Sequence, residues 1–73
     1  MSRNKRFTPR EAEVACHVAF GYGTKQISQR LGITVKTVES YQSKIYKKLG
    51  IQTIGQLIRY VIQEDVLQMH NLR

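Results

Sequence analysis

The segment Leu31-Gly32-Ile33-Thr34 separates two stretches that each read as helix, 25–31 and 35–49. Gly32 can take the left-handed conformation that stops a helix, and Thr34 offers a side-chain oxygen to the free N–H groups that start the next. A break this short makes the pair a helix-turn-helix, in which the first helix braces the second. The other boundaries are equally local. Thr8-Pro9-Arg10-Glu11 combines a hydroxyl cap, a proline at the first helical position and a Glu three residues after the cap, opening a helix over 9–20 that Gly21-Tyr22-Gly23 ends. Thr24 or Gly23 caps the 25–31 helix. Gly50 closes the 35–49 helix, and Thr53-x-x-Gln56 is a capping box opening a fourth helix over 54–65. No stretch alternates β-branched with polar residues, so one all-α domain of four helices is expected over 1–73, with a basic arm at 1–6 and a tail at 66–73. The tail, VLQMHNLR, could extend helix four, fold back or fray.

A chain of 73 residues buries only about 60% of its unfolded surface, too little for a core and a multi-residue catalytic pocket together, so an enzyme is not expected. Cys16 is the lone cysteine, which excludes an internal disulfide, and His17 and His70 lie far apart without metal-like spacing. Cys16 and His17 are neighbours, but adjacent helical residues point about 100° apart and do not form a nucleophile and base. No cofactor, metal or small-molecule ligand is therefore expected. No apolar run approaches the ~18 residues of a membrane span, and MSRNKR leads into no signal-peptide core, which makes the cytoplasm the expected location.

Twelve Lys and Arg against five Asp and Glu give a charge of +7, which favours a polyanionic partner. The third helix is suited to one. With Val38 at zero and about 100° per residue, Gln42, Ile45 and Leu49 fall within roughly 40° of it, while Lys36, Ser40, Ser43 and Lys47 gather at the opposite pole. Small hydroxylated residues let a helix sit deep in a DNA major groove, and flanking lysines meet its phosphate walls. Glu39, beside this face, is repelled by phosphate but can accept from the cytosine amino group, which points to base reading. A merely solvated face has the same composition; the turn and the charge favour the groove.

Three blocks carry a resemblance: Thr8-Pro9-Arg10-Glu11-Ala12-Glu13-Val14; then Thr24-Lys25-Gln26-Ile27-Ser28-x-x-Leu31-Gly32-Ile33-Thr34-x-Lys36-Thr37-Val38; then Ile45-x-Lys47-Lys48-Leu49-Gly50-Ile51. In this order and spacing they resemble the LuxR/FixJ-type (GerE-like) DNA-binding domain of bacterial transcription regulators, over about residues 7 to 65. The resemblance implies a four-helix domain that binds double-stranded DNA with helix three in the major groove and forms a homodimer through helix four; RNA polymerase is a further candidate partner. It implies base reading by Lys36, Glu39, Ser40 and Ser43 and phosphate contact by Thr37 and Tyr41. Lys44 and Lys47 join the phosphate set from helix three, and Thr24 and Lys25 from the start of helix two. Gln26, Ser28 and Tyr41 depart from the commoner family residues, and Glu39 and Ser40 leave the recognised DNA sequence open.

Helix four places Ile54, Leu57, Ile58, Val61 and Ile62 within an arc of about 140°, expected to cover helices one and three. Gln56, Arg59, Tyr60 and Gln63 fall outside it, and these are the expected dimerisation residues. On helix one, Cys16 lies opposite Val14 and Val18 and is expected at the surface, exposed or half-exposed, as a plain thiol in preference to a redox sensor, whereas His17 is expected to be a partly buried structural histidine. Arg3, Lys5 and Arg6 form an arm that either touches DNA or stays solvated.

Three other readings compete. The fourth region of a sigma factor has a similar Ile27-x-x-x-Leu31-Gly32-Ile33-x-x-x-Thr37-Val38 core and predicts monomeric promoter binding. A protein-interaction module that no longer binds DNA is favoured by the acidic Glu39. Nonspecific RNA or single-strand binding lacks a stacking platform, because the aromatic residues are scattered.

Overall fold

A computed structural model describes residues 7–63, which form four helices and, among the described residues, no strand: α1 Pro9–Ala19, α2 Thr24–Leu31, α3 Val35–Leu49 and α4 Ile54–Gln63. Helix one stops one residue before Phe20, whose N–H still bonds back to Cys16. Helix two begins one residue earlier than the sequence suggested, because Gly23 is the cap: its N–H donates to Gln26 Oε1 at 3.0 Å, so Thr24 is already helical. Positions 64 and 65 of the expected fourth helix, the 1–6 arm with Arg3, Lys5 and Arg6, and the 66–73 tail lie outside the described residues.

The caps are made by the residues whose chemistry suits them. Thr8 Oγ1 accepts from Glu11 N–H at 3.2 Å while Glu11 Oε1 accepts from Thr8 N–H at 3.0 Å. Thr34 Oγ1 accepts from Thr37 N–H at 3.1 Å, and Thr53 Oγ1 from Gln56 N–H at 3.2 Å, with Gln56 Oε1 returning to Thr53 N–H at 3.1 Å. At the far ends of α2 and α3, Gly32 and Gly50 adopt φ of +69° and +65°. Each lets the chain reverse within one residue, so that Ile33 N–H reaches Ser28 O and Ile51 N–H reaches Tyr46 O.

Helix α1 is the axle of the domain and packs on all three of the others, while α2 and α3 pack on each other. It is consequently buried on nearly every side: Glu11, Ala12, Val14, Ala15, Cys16, His17 and Val18 are all inside. Ile27 from α2, Val38 and Ile45 from α3, and Leu57 and Val61 from α4 complete the core, with Phe7 from the segment before α1. Cys16 is thus not at the surface as its wheel position suggested. A helix enclosed by three neighbours has no solvent face over this stretch, so two valines do not define its buried side. Burial pushes the Cys16 thiol up to about 11. His17 is fully enclosed; its Nδ1–H donates to the Glu13 carbonyl at 2.8 Å, the only role open to a nitrogen facing a carbonyl, and its ring lies 5.4 Å from that of Tyr22.

Helix α4 lies mainly on α1 and covers it with a narrower stripe than expected. Leu57 and Val61 are buried and Ile58 is half-buried, but Ile54 and Ile62 are exposed.

Candidate nucleic-acid interface

The amphipathic wheel of α3 decides which side chains the domain displays. Val38 and Ile45 are fully buried and anchor the helix to α1 and α2. Lys36, Glu39, Ser40, Ser43, Lys44 and Lys47 are exposed, and Thr37 and Tyr41 are half-buried along one flank. The structure therefore brings all the expected α3 site residues onto one continuous surface. From α2, Lys25 is exposed and Thr24 half-buried at the helix start.

Two shallow concavities flank the ridge and differ in chemistry. One is lined by Thr37, Ser40, Tyr41 and Lys44, all hydroxyl or cationic; Lys44 Nζ lies 5.9 Å from the centre of the Tyr41 ring. The other is lined by Glu39, Gln42, Ser43, Tyr46 and Lys47 and is closed by Gly50, Ile51 and Gln52 after the helix. The carboxylate and amide groups thus lie on one side only, while each side carries a lysine and a serine hydroxyl. The Thr37 hydroxyl is 2.9 Å from that of Thr34, so the capping threonine fixes it in place.

Carboxylates that would repel DNA are mostly neutralised within the fold. Glu13 pairs with Arg10 at 2.9 Å, and Glu11 Oε1 accepts from Lys48 Nζ at 2.6 Å. The remaining described carboxylate, Glu39, is exposed on α3. Sequence reasoning saw Glu11 only as a helix cap and missed its bond to Lys48, a contact 37 residues away in the chain that no local signal encodes. It also missed Phe7.

The residues expected to form a dimer contact have divided roles. Gln56 Oε1 is occupied at the start of α4 by the N–H groups of Gln52 and Thr53, and Tyr60 is half-buried against Phe7. Arg59 and Gln63 are exposed, as are Ile54 and Ile62. Among the described residues no group of three metal-ligating side chains occurs, and no helix is long and apolar enough to cross a membrane.

Comparison with known proteins gives the family of the chain. The family model described as bacterial regulatory proteins, luxR family, matches residues 5–61. The chain is similar to the oxygen regulatory protein NreC of Staphylococcus aureus strains JH9 and JH1, with 36% identity over 64 residues, 88% of this chain and 30% of either relative. It thus spans about a third of the length of these curated relatives. No solved structure matches the chain significantly. On the match over 5–61, the chain belongs to the luxR family of bacterial regulatory proteins, and its four helices are that family's DNA-binding helix-turn-helix domain.

Proposed function

We propose that this domain binds double-stranded DNA sequence-specifically as a homodimer and thereby regulates transcription, with α3 lying in the major groove. One observation carries the reading: α3 is sealed to the core by Val38 and Ile45 and presents Lys36, Ser40, Ser43 and Lys47 to solvent along its opposite side. Lys36, Glu39, Ser40 and Ser43 read base edges. Thr24, Lys25, Thr37, Tyr41, Lys44 and Lys47 hold the phosphates on either side. A helix of this slimness fits a groove about 12 Å wide, and its single carboxylate is matched to a cytosine amino group.

The dimer contact in this reading runs along α4. The exposed Ile54 and Ile62 with the half-buried Ile58 between them lie one turn apart on one stripe, and Arg59 and Gln63 lie beyond it. Such a stripe is small, so the isolated domain pairs weakly and DNA brings two copies together.

Methylation interference tests the groove assignment. On a selected operator, methyl groups at guanine N7, which project into the major groove, abolish binding at the bases under α3, while minor-groove adenine N3 methylation there is tolerated. Interference confined to the minor groove would overturn the reading.

A further inference from the structure

Lys44 and Lys48 stand one turn apart on the same flank of α3 as Thr37 and Tyr41, within an arc of about 60°. By position both should reach phosphate. Their surroundings differ. Both are exposed, but Lys44 stands beside the Tyr41 ring, whereas Lys48 Nζ donates to Glu11 Oε1 at 2.6 Å. The Glu11 side chain is only 6% exposed and is held a second time by Thr8 N–H at 3.0 Å, so the carboxylate cannot follow the lysine outward. Turning Lys48 toward DNA would leave a buried carboxylate without its hydrogen-bonded cation and with only the charge of Lys44 acting on it, a costly state in any fold.

We infer that Glu11 is a positioning residue that holds Lys48 away from the DNA backbone and so limits the sequence-independent share of DNA affinity; the inference rests on α3 being the DNA-reading helix. Lys48 then belongs to the fold and not to the interface, although it sits among residues that contact phosphate. Exchanging the carboxylate for an amide frees it. Glutamine is also the other residue that serves the third position of a capping box, so Glu11→Gln keeps the start of α1 intact while removing the charge.

The test is the salt dependence of binding to a random-sequence duplex, measured by fluorescence anisotropy for the whole chain. Each phosphate contact adds about 0.9 to the slope of log K against log salt. Glu11→Gln is expected to bind more tightly and to steepen the slope by about 0.9, an extra loss of about 3.5-fold between roughly 50 and 200 mM salt. Lys48→Met in the presence of Glu11 is expected to leave the slope unchanged, and the double variant Glu11→Gln/Lys48→Met to return it to the wild-type value. Lys47→Ala is the control: its slope flattens by about 0.9 if α3 meets DNA at all. A control that flattens while Lys48→Met flattens equally, or a Glu11→Gln gain that persists in the double variant, overturns the inference and leaves the DNA reading standing. An unchanged slope for Lys47→Ala overturns both. If Lys48→Met does not fold, because it strands the buried Glu11, comparison of Glu11→Gln with the double variant decides alone, since neither holds a buried charge.

Discussion

The rings of Phe7 and Tyr60 meet with their centres 5.8 Å apart and their planes inclined by 59°. The contact joins the segment before α1 to α4, closing the domain where the two ends of the described chain come together. This tilted geometry suits the ring quadrupoles, and it explains why Tyr60 is half-buried although it lies outside the apolar arc of its own helix. Phe7→Ala is expected to cost about 3 kcal/mol. A domain of this size holds only about 4–10 kcal/mol in all, so the variant should unfold at much lower urea than wild type. An unchanged midpoint would show that Phe7 does not close the core.

Which parts of the molecule were legible follows from the range of the forces involved. The helix starts at Thr8, Thr34 and Thr53 and the stops at Gly32 and Gly50 are set by bonds among residues three to five apart, and the sequence alone located them. The exposed face of α3 was legible because that helix is covered on one side only, which gives a clean 3.6-residue period. Cys16 was misplaced because α1 is enclosed by three helices, a fact of assembly that no wheel of α1 contains. The same holds for Ile54 and Ile62, which share an apolar arc with Leu57 and Val61 but find no neighbour among the described residues to bury them. The Glu11 to Lys48 bond joins positions 37 apart and became visible only when α1 and α3 were packed.

Stability should depend on Glu11 in the acid range. Burial alone raises its carboxyl, but the hydrogen bond from Lys48, the Thr8 amide and the charges of Lys48 and Lys44 outweigh it and hold the group below its ordinary 4.5. A group with a lowered folded pKa contributes stability that is complete above the unfolded value, about pH 4.5, and is lost as the pH falls through the folded value. Thermal melts should therefore show the gap in Tm between wild type and Glu11→Gln narrowing as the pH is lowered from 7 toward 3. A gap that stays constant would contradict the charge-based role.

Cys16 should be inert in the folded chain. Its thiol is enclosed, and burial pushes it up to about 11, so at pH 8 it is neither ionised nor reachable. A disulfide reagent should label it only as fast as the domain opens, with the rate rising in step with added urea. Immediate labelling without denaturant would place the thiol at the surface.

The dimer contact along α4 can be separated from the fold. Ile62 is 64% exposed, so Ile62→Glu should leave the melting temperature within a few degrees of wild type. In sedimentation with an operator duplex the same change should shift the complex from two chains per duplex toward one. Two chains per duplex at unchanged affinity would move the contact elsewhere.

Gly32 sets the angle between α2 and α3 through its φ of +69°, and a Cβ there would meet nothing within 4 Å. Gly32→Ala should therefore cost about 1–2 kcal/mol from backbone conformation alone. Urea unfolding checks this, and a loss below a few tenths would show that the turn adapts freely.

The central claim is that the outward side of α3 reads bases, and selection of binding sites from a random duplex pool by wild type and Glu39→Ala in parallel tests it most directly. Wild type should enrich a motif with twofold symmetry, and Glu39→Ala should relax or change the preferred base at one position of each half-site, a discrimination of about 1–3 kcal/mol. Identical motifs from both proteins, or no motif enriched by wild type, would contradict it.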